Sequence, residues 1–497
     1  MCLALSGVAY SQSTEEFVHW QRSIGGSGED AMSDMVTDTS GNLFVVGSVQ
    51  SSSNQSMDIL VSGFAESGRE LWSVTLGDLG DDHGISIELL NNQLYILASS
   101  NSKSGLFSEN SGREDIYLFR FTLDGALIGQ THFAGNYSDI PTEITKTKNG
   151  ELLISAHSLS DNGFFDTNKG QTDMWVIRVN AIGELIWKKN LGGMEEDFSV
   201  SIEETKNGEL IIFGHSSSYD GDIGVNYGDF DLSLFKLNSA GNILWEQNYG
   251  GLQAEIGVDL IIKNDGHLFL AGNTLSSSLD IQKNAGFSDA WVLEVNDLNG
   301  EIIWEQTHGG PESDYAASLA FNAKGELFLM GLTNAPVFMG DAIRGKQNVW
   351  LAQINSPNTI EHIAVFGGNE YDAVSKFIIH EGGSITLIGT SNSTNDLFSD
   401  NKGKGDGWLM KVELTRTTSE AATVSAHPNP SNGLVYLNNI SATDEIRVHN
   451  SMGQLVLAPY QVTGISERID LTSFLPGVYL IHIQRESSSE LIRLVRN

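Results

Sequence analysis

The sequence predicts an all-β protein: a seven-bladed β-propeller closed by an N-terminal strand, followed by a small Ig-like β-sandwich. Three observations carry this expectation. Apolar runs recur every 51 to 59 residues, a Gly-containing turn precedes each run, and most units end in a tryptophan strand followed by a glycine pair. SAGNILWEQNYGG at 239–251, AIGELIWKKNLGG at 181–193 and LNGEIIWEQTHGG at 298–310 show the last feature. A fixed period of this length, built from short strands with almost no helical periodicity, describes propeller blades.

Each unit is expected to hold four strands. The first, such as DFSVSIEET at 197, leads through a tight turn (KNGE, NDGH) into an apolar second strand. Seven such second strands occur: NLFVVGSV (42), QLYILASS (93), ELLISAHS (151), ELIIFGHS (209), HLFLAGNT (267), ELFLMGLT (326) and SITLIGTS (384). A Gly/Asn/Ser-rich loop then leads to a third strand, such as DMWVIRVN (173) or DAWVLEVN (289), and a second hairpin turn to the tryptophan strand. The seventh unit stops at GWLMKVEL (407) without a tryptophan strand, whereas FVHWQRSIGG (17–26) is a tryptophan strand without a unit before it. In a closed ring the N-terminal strand completes the last blade and leaves no unpaired edge.

The expected organisation is therefore a leader over residues 1–16, a propeller over 17–414, a Ser/Thr/Ala linker over 415–426 and a C-terminal domain over 427–497. MCLALSGVAYSQSTEE reads as a partial secretory signal peptide with a short apolar stretch and no basic region. The chain has 28 basic and 63 acidic residues, a formal net charge of -35, and residues 421–497 contribute almost none of the excess. Such a charge repels nucleic-acid backbones and anionic membranes, and no run is long enough for a membrane-spanning helix. It suits solubility outside the cell, a divalent cation or a cationic partner. Cys2 is the single cysteine, which excludes an intramolecular disulfide and any CxxC zinc or redox site.

Alignment of the units separates scaffold from function, since one ligand seldom needs seven copies of a contact. An acid follows each glycine pair (Asp30, Asp82, Asp139, Asp197, Glu255, Asp314, Asp372), and another opens the third strand (Asp58, Asp115, Asp173, Asp231, Asp289, Asp406, with Asn348 in the sixth unit). Both sets are expected on one face as acceptors for turn amides. The loop SYDGDIGVNYGDFD offers Asp220, Asp222, Asn226, Asp229 and Asp231, hard oxygen ligands of the kind calcium takes; no other cofactor is implied. Against a calcium site, N-x-G-x-x-D also occurs at Asn110, Asn168, Asn284 and Asn401, as a simple turn requires. His157 and His215 occupy equivalent places in adjacent units and are too few for a zinc site without a third ligand. No G-x-S-x-G elbow occurs and no acid pair stands out, so the reading favours binding over catalysis.

The seven-fold pattern breaks most in the loops between second and third strands. Phe164 and Phe165 in the third unit and Phe338, Met339 and Arg344 in the sixth are the candidates for an exposed recognition patch, with packing against the neighbouring loop as the alternative. The leading expectation is a non-catalytic propeller that binds an extracellular glycan or protein. The alternative is a secreted glycan-active enzyme with carboxylates at the channel mouth.

Two resemblances bear on this. The propeller repeat resembles quinoprotein-type and kelch repeats in part, and looks most like the repeat array of secreted bacterial surface proteins over residues 17–415. The C-terminal segment closely resembles the type A sorting domain of type IX secretion: Pro428, Asn429, Pro430 and Gly433 match its opening motif, Gly453 its central turn, and Gly477 and Tyr479 its last strands. That resemblance implies export by the type IX machinery, a cleavable tail, and a secreted or cell-surface destination outside the outer membrane.

Overall fold

The computed structural model describes residues 18–413 except 53–54, 339–340, 344, 356–358 and 399, and in the C-terminal unit 425–427, 431, 434–438, 445–450, 454–461, 466–484 and 489–496. The leader expected over 1–16, Met339, Arg344, Pro428, Asn429, Pro430, Gly433 and Gly453 lie outside the described residues. The chain divides into two compact units, Met1–Leu414 and Thr415–Asn497.

The first unit contains seven four-stranded antiparallel sheets. Strands a to d of each blade run outwards in chain order; in blade 1 they are Asp30–Thr37, Leu43–Gln50, Met57–Phe64 and Glu70–Leu76. Strand a begins blades 2 to 7 at Asp82, Asp139, Asp197, Glu255, Asp314 and Asp372. Blade 7 takes its strand d from the N-terminus: Val18–Ile24 pairs antiparallel with Asp406–Glu413, Gln21 opposite Met410. Neighbouring a strands touch around the whole circle, including that of blade 7 against that of blade 1, so the ring is closed.

Strands b and c are buried on both faces, and so read as continuous apolar runs, while d alternates towards solvent. Each inter-blade gap holds its own apolar core. At the seam, Met32, Met35, Val45, Leu60 and Phe64 of blade 1 meet Ile388 and Leu409 of blade 7. The tryptophan of strand d covers the c–d turn of the next blade. Trp72 Nε1 donates to Leu123 O at 2.8 Å, Trp245 Nε1 to Asp297 O at 3.2 Å, and at the seam Trp20 Nε1 donates to Glu66 O at 3.1 Å. The glycine of that turn has positive φ, 76° at Gly68, and a Cβ there would lie 2.5 Å from Trp20 Cδ2. Turn geometry and ring contact both require glycine.

The two carboxylate sets lie at the blade junctions and do accept turn amides. The second residue of the glycine pair donates its amide to the strand-a acid four residues on: Gly193 to Asp197 at 2.7 Å, Gly251 to Glu255 at 2.7 Å, Gly368 to Asp372 at 2.6 Å and Gly26 to Asp30 at 2.7 Å. Hydroxyls after strand b complete the latch; Ser158 donates to Asp139 at 2.5 Å, and Ser391 and Ser393 donate to Asp372 at 2.5 and 3.0 Å. The strand-c acids accept from their own loops, as Asp231 from Tyr227 N at 2.5 Å and Asp289 from Ala285 N at 2.6 Å. Their Oδ1 atoms in Asp173, Asp231, Asp289 and Asp406 are buried without a hydrogen-bond partner. They face the strand-a acid of the next blade across the first glycine: a Cβ on Gly192 would lie 2.8 Å from Asp173 Oδ1 and 2.6 Å from Asp197 Oδ2.

Burial, with the facing carboxylate adding to it, pushes Asp173 up to about 6 and Asp231 up to about 7; Asp139 is pushed up to about 6 by burial against its hydrogen bonds. The folded state thus keeps protons that the unfolded chain releases near pH 4. The stability they contribute is complete below that pH and is lost as pH rises through 6 to 7. Asn348 already replaces the acid in blade 6, its amide beside Gly367. Asp231→Asn should therefore raise the melting temperature over wild type at pH 8 and give no gain at pH 4, read by thermal denaturation at both pH values. A gain of equal size at both would remove the carboxyl pair as its cause.

The C-terminal unit is a sandwich of two sheets, described by itself. One pairs Ser425–His427, Leu434–Asn438 and Ser466–Asp470; the other has the order Leu455–Gln461, Glu445–Asn450, Gly477–Gln484, Ser489–Arg496. Alternate residues of both sheets, among them Val435, Leu437, Val448, Ile481 and Leu494, form its core.

Deleting residues 1–26 removes blade 7's strand d and Trp20's cover of the blade 1 turn. The melting temperature of the propeller should fall by about 5 °C or more. An unchanged midpoint would show that this strand does not close the ring.

Candidate ligand face

Strand a begins, and strand b ends, at one end of the ring, so the b–c loops and the inter-blade loops share a face. They are knitted together there: Met194 N donates to Asp220 Oδ1 at 2.8 Å, Leu252 N to Ser278 Oγ at 3.2 Å, and Tyr137 N to Ser160 Oγ at 2.9 Å. Each junction thus fixes a loop of one blade against a loop of the next.

Phe165 and Phe338 are not part of an exposed patch. They are 0% and 2% exposed, Phe165 edge-on to Trp175 at 5.1 Å and Phe338 tilted on Trp350 at 5.3 Å. Phe107, Ile223, Ile281 and Phe398 are buried in the corresponding loops of other blades, so this residue anchors the b–c loop to its blade. In blades 2 and 3 a short 3-10 turn, Gly105–Phe107 and Gly163–Phe165, aims it inwards. Phe164 is half-buried against Phe133 at 4.9 Å and lies under the Lys188 ammonium at 4.8 Å.

Four of the five residues proposed for calcium are tied to the turn or to a lysine. Asp220 accepts from Met194 N, Asn226 Oδ1 from Gly228 N at 3.0 Å while its Nδ2 donates to Ser216 O at 3.1 Å, one oxygen of Asp231 accepts from Tyr227 N, and Asp222 pairs with Lys169. Asp229 is exposed at the loop's end. Among the described residues no group of three or more Asp, Glu, His or Cys is placed to hold a metal ion. The Asn clamp recurs as Asn284 to Thr274 O at 3.1 Å and Asn401 to Ser391 O at 2.6 Å, the turn role its repetition implied.

His157 and His215 flank the Phe198 ring, at 5.1 and 5.3 Å, and Phe230 closes on His215 at 5.6 Å. Burial pushes both imidazoles down to about 4, so they are neutral near pH 7. They form an aromatic cluster at the inner end of blades 3 and 4.

Other residues of these loops were missed by the sequence reading. Tyr219 is 68% exposed and Phe287 70%, with Tyr227, Met194, Leu252 and Leu279 also exposed on the same loops. They were hidden because a tyrosine or leucine in a Gly/Asn/Ser-rich loop carries no periodic signal.

The channel was missed as well. A bulge at the same place in every strand a, between Ser199 and Ser201 for instance, turns the following side chain inwards and delimits a cavity of about 130 Å³. Its waist reads Asp34, Ser86, Glu143, Ser201, Asp259, Ser318, Lys376 around the ring. Each acid accepts from the next blade's serine and amide: Ser86 Oγ to Asp34 at 2.7 Å, Ser201 Oγ and Ile202 N to Glu143 at 2.6 and 2.7 Å, and Leu319 N to Asp259 at 2.7 Å. Asp259 first, then Asp34, Glu143 and Glu203, holds the Lys376 ammonium above the ordinary lysine range. Burial raises the Glu143 and Glu203 carboxyls. The waist acids therefore staple neighbouring blades.

Comparison with known proteins agrees with this architecture. Residues 425–497 match the family described as the secretion system C-terminal sorting domain. The chain is 22% identical over 318 residues to the regulatory protein FlaEY of Caulobacter vibrioides, a match covering 60% of this chain and 32% of that protein. The chain thus spans about a third of the length of that curated relative. Among solved structures, an ulvan lyase of polysaccharide lyase family PL25 superposes with a TM-score of 0.50 at 10% identity, over 79% of this chain and 96% of that one. At this identity the likeness shows the fold alone. The sorting domain marks the protein as secreted or held at the cell surface through the type IX system, and among the described residues no helix is long and apolar enough to cross a membrane.

Two matched positions of the tail differ in what they do. Tyr479 is 5% exposed and donates to Leu475 O at 2.6 Å, whereas a Cβ on Gly477 meets nothing within 4 Å. Alanine at Gly477 thus has open space around its Cβ. A reporter behind a signal peptide and fused to residues 415–497 should cross the outer membrane of a type IX host. Tyr479→Ala should reduce its export and Gly477→Ala should leave it unchanged, read by fractionation; reporter held wholly in the periplasm by the intact tail would overturn the assignment.

Proposed function

We propose that the protein is an exported binding module whose propeller captures an extracellular glycan or protein through the loop face of blades 3 to 5. The observation that carries this reading is the exposure of Tyr219, Tyr227 and Phe287 on adjoining loops of that face. Large apolar side chains left in water beside polar groups are what recognition surfaces use, and aromatic residues lose little conformational freedom on binding. The repeated positions support it from the other side. The carboxylates, glycines and loop anchors that recur around the ring are occupied with holding it together, so the variable loop tips are free to serve a partner. The carboxyl-terminal domain supplies the address.

The reading is tested by capture from a panel of extracellular polysaccharides and surface proteins, with reducing-sugar release measured on the same panel. Tyr219→Ala combined with Tyr227→Ala should weaken capture by about tenfold with little change in melting temperature, because neither side chain belongs to the buried core. Changes in the KNGE and NDGH turns at the opposite end should leave capture intact. Sugar release by the wild-type protein would place it among glycan-active enzymes instead.

A further inference from the structure

The blade junctions of the loop face show which chemistry they accept. Two residues before strand c, blade 6 carries Lys346, whose ammonium lies 5.2 Å from the Tyr371 ring centroid and 2.6 Å from Glu370 of the adjoining inter-blade loop. Blades 2 and 7 carry Arg113 and Lys404 at this position, each backbone amide bonded to the next loop as that of Lys346 is. In blades 3, 4 and 5 the position holds Gln171, Asp229 and Phe287 instead. Gln171 Nε2 donates to Glu195 Oε2 at 2.8 Å, which shows that the residue still faces the neighbouring loop's acid. Blades 2, 6 and 7 thus carry a basic residue at this position, blade 1 carries Ser56, and blades 3 to 5 carry no basic residue there.

What blades 3 to 5 present in their place is acid beside aromatic surface. Phe287 neighbours the Pro311–Glu312 loop, Tyr219 precedes Asp220, and the Tyr227 hydroxyl is raised by burial and then by Asp280. Acids on these loops, Asp161, Glu195, Glu196, Asp229 and Glu312 among them, outnumber the lysines, which are Lys169, already paired with Asp222, and Lys283. Lys188 shows the same chemistry on the blade's flank: its ammonium lies over Phe164 and pairs with Asp166 at 2.7 Å. In both internal examples the guest is an ammonium on a flexible four-carbon stem, bound by a ring face and a carboxylate together.

We propose that the junctions of blades 3, 4 and 5, which carry no basic residue at this position, bind lysine side chains of a polypeptide partner, as the junction of blade 6 holds Lys346. This rests on the loop-face reading above and narrows its ligand. The acidic propeller would also draw such a partner in at long range, an effect that fades with salt.

The test uses the full chain and a fluorescent peptide of alternating lysine and glycine, titrated by anisotropy at physiological ionic strength. Asp229→Lys and Phe287→Lys restore an internal cation and should each weaken binding by about tenfold. Leu298→Lys adds the same charge at a position 77% exposed on the opposite end, and should change it by less than about twofold. Equal weakening by all three variants would reduce the effect to diffuse charge and overturn the proposal, as would absence of peptide binding or tighter binding of a chitosan oligomer. If the peptide fails while panel capture still depends on Tyr219 and Tyr227, the loop face stands and the lysine-bearing partner falls.

Discussion

Everything in the propeller depends on the bond between a buried carboxylate and the amide four residues before it. That bond fixes the chain as it leaves strand d of one blade and enters strand a of the next, from Gly193 to Asp197 and at the seam from Gly26 to Asp30. Hydroxyls from the end of strand b reach the same carboxylate, so a single side chain ties together two blades and a loop. A buried carboxylate left without such donors would cost several kcal/mol, and the strict recurrence of the acid with its glycine and serine partners follows from that penalty. Glu255 fills the role in blade 5 because Thr274 and Gly251 meet its longer side chain.

The latch brings a second acid with it. Strand c opens with a carboxylate that faces the latch across the first glycine, and only a residue without a Cβ leaves room between Asp173 and Asp197. Burial, with the repulsion of the facing carboxylate added to it, raises Asp139, Asp173 and Asp231. The formal charge of -35 therefore overstates the charge of the folded chain, because some of its carboxyls hold their protons near neutrality. The acids at the loop tips, Asp161 and Asp229 among them, are exposed.

The fold was legible in the sequence because its causes are periodic. Apolar b and c strands, the tryptophan of strand d and the glycine of the next turn recur at a fixed spacing, and the split repeat showed the closure. The loop face was not legible in the same way. Phe165 and Phe338 read as exposed because they sit in polar loops, yet alignment with Phe107, Ile223, Ile281 and Phe398 would have marked them as anchors. The channel waist was concealed by a bulge that breaks the alternation of strand a, although an acid or serine stands four residues after nearly every latch acid. The five residues of the blade 4 loop matched calcium in type, but type does not show that turn amides hold Asp220, Asn226 and Asp231 and that Lys169 holds Asp222.

The number of blades has a consequence at the waist. Acid and serine alternate from Asp34 to Ser318, each acid stapled to the following blade, and an alternating pattern cannot close on seven positions. The odd seat would set either two acids or two serines side by side. Lys376 takes it and places a cation beside the waist acids, where Asp259 first and then Asp34, Glu143 and Glu203 hold its charge. The same logic governs the outer junctions: blades 2, 6 and 7 carry a basic residue where loops of two blades meet, while blades 3 to 5 carry none at that position. A ring built from like repeats thus becomes asymmetric through the placement of a few cations, and the loops of blades 3 to 5, without one at that position, carry the exposed rings of Tyr219 and Phe287.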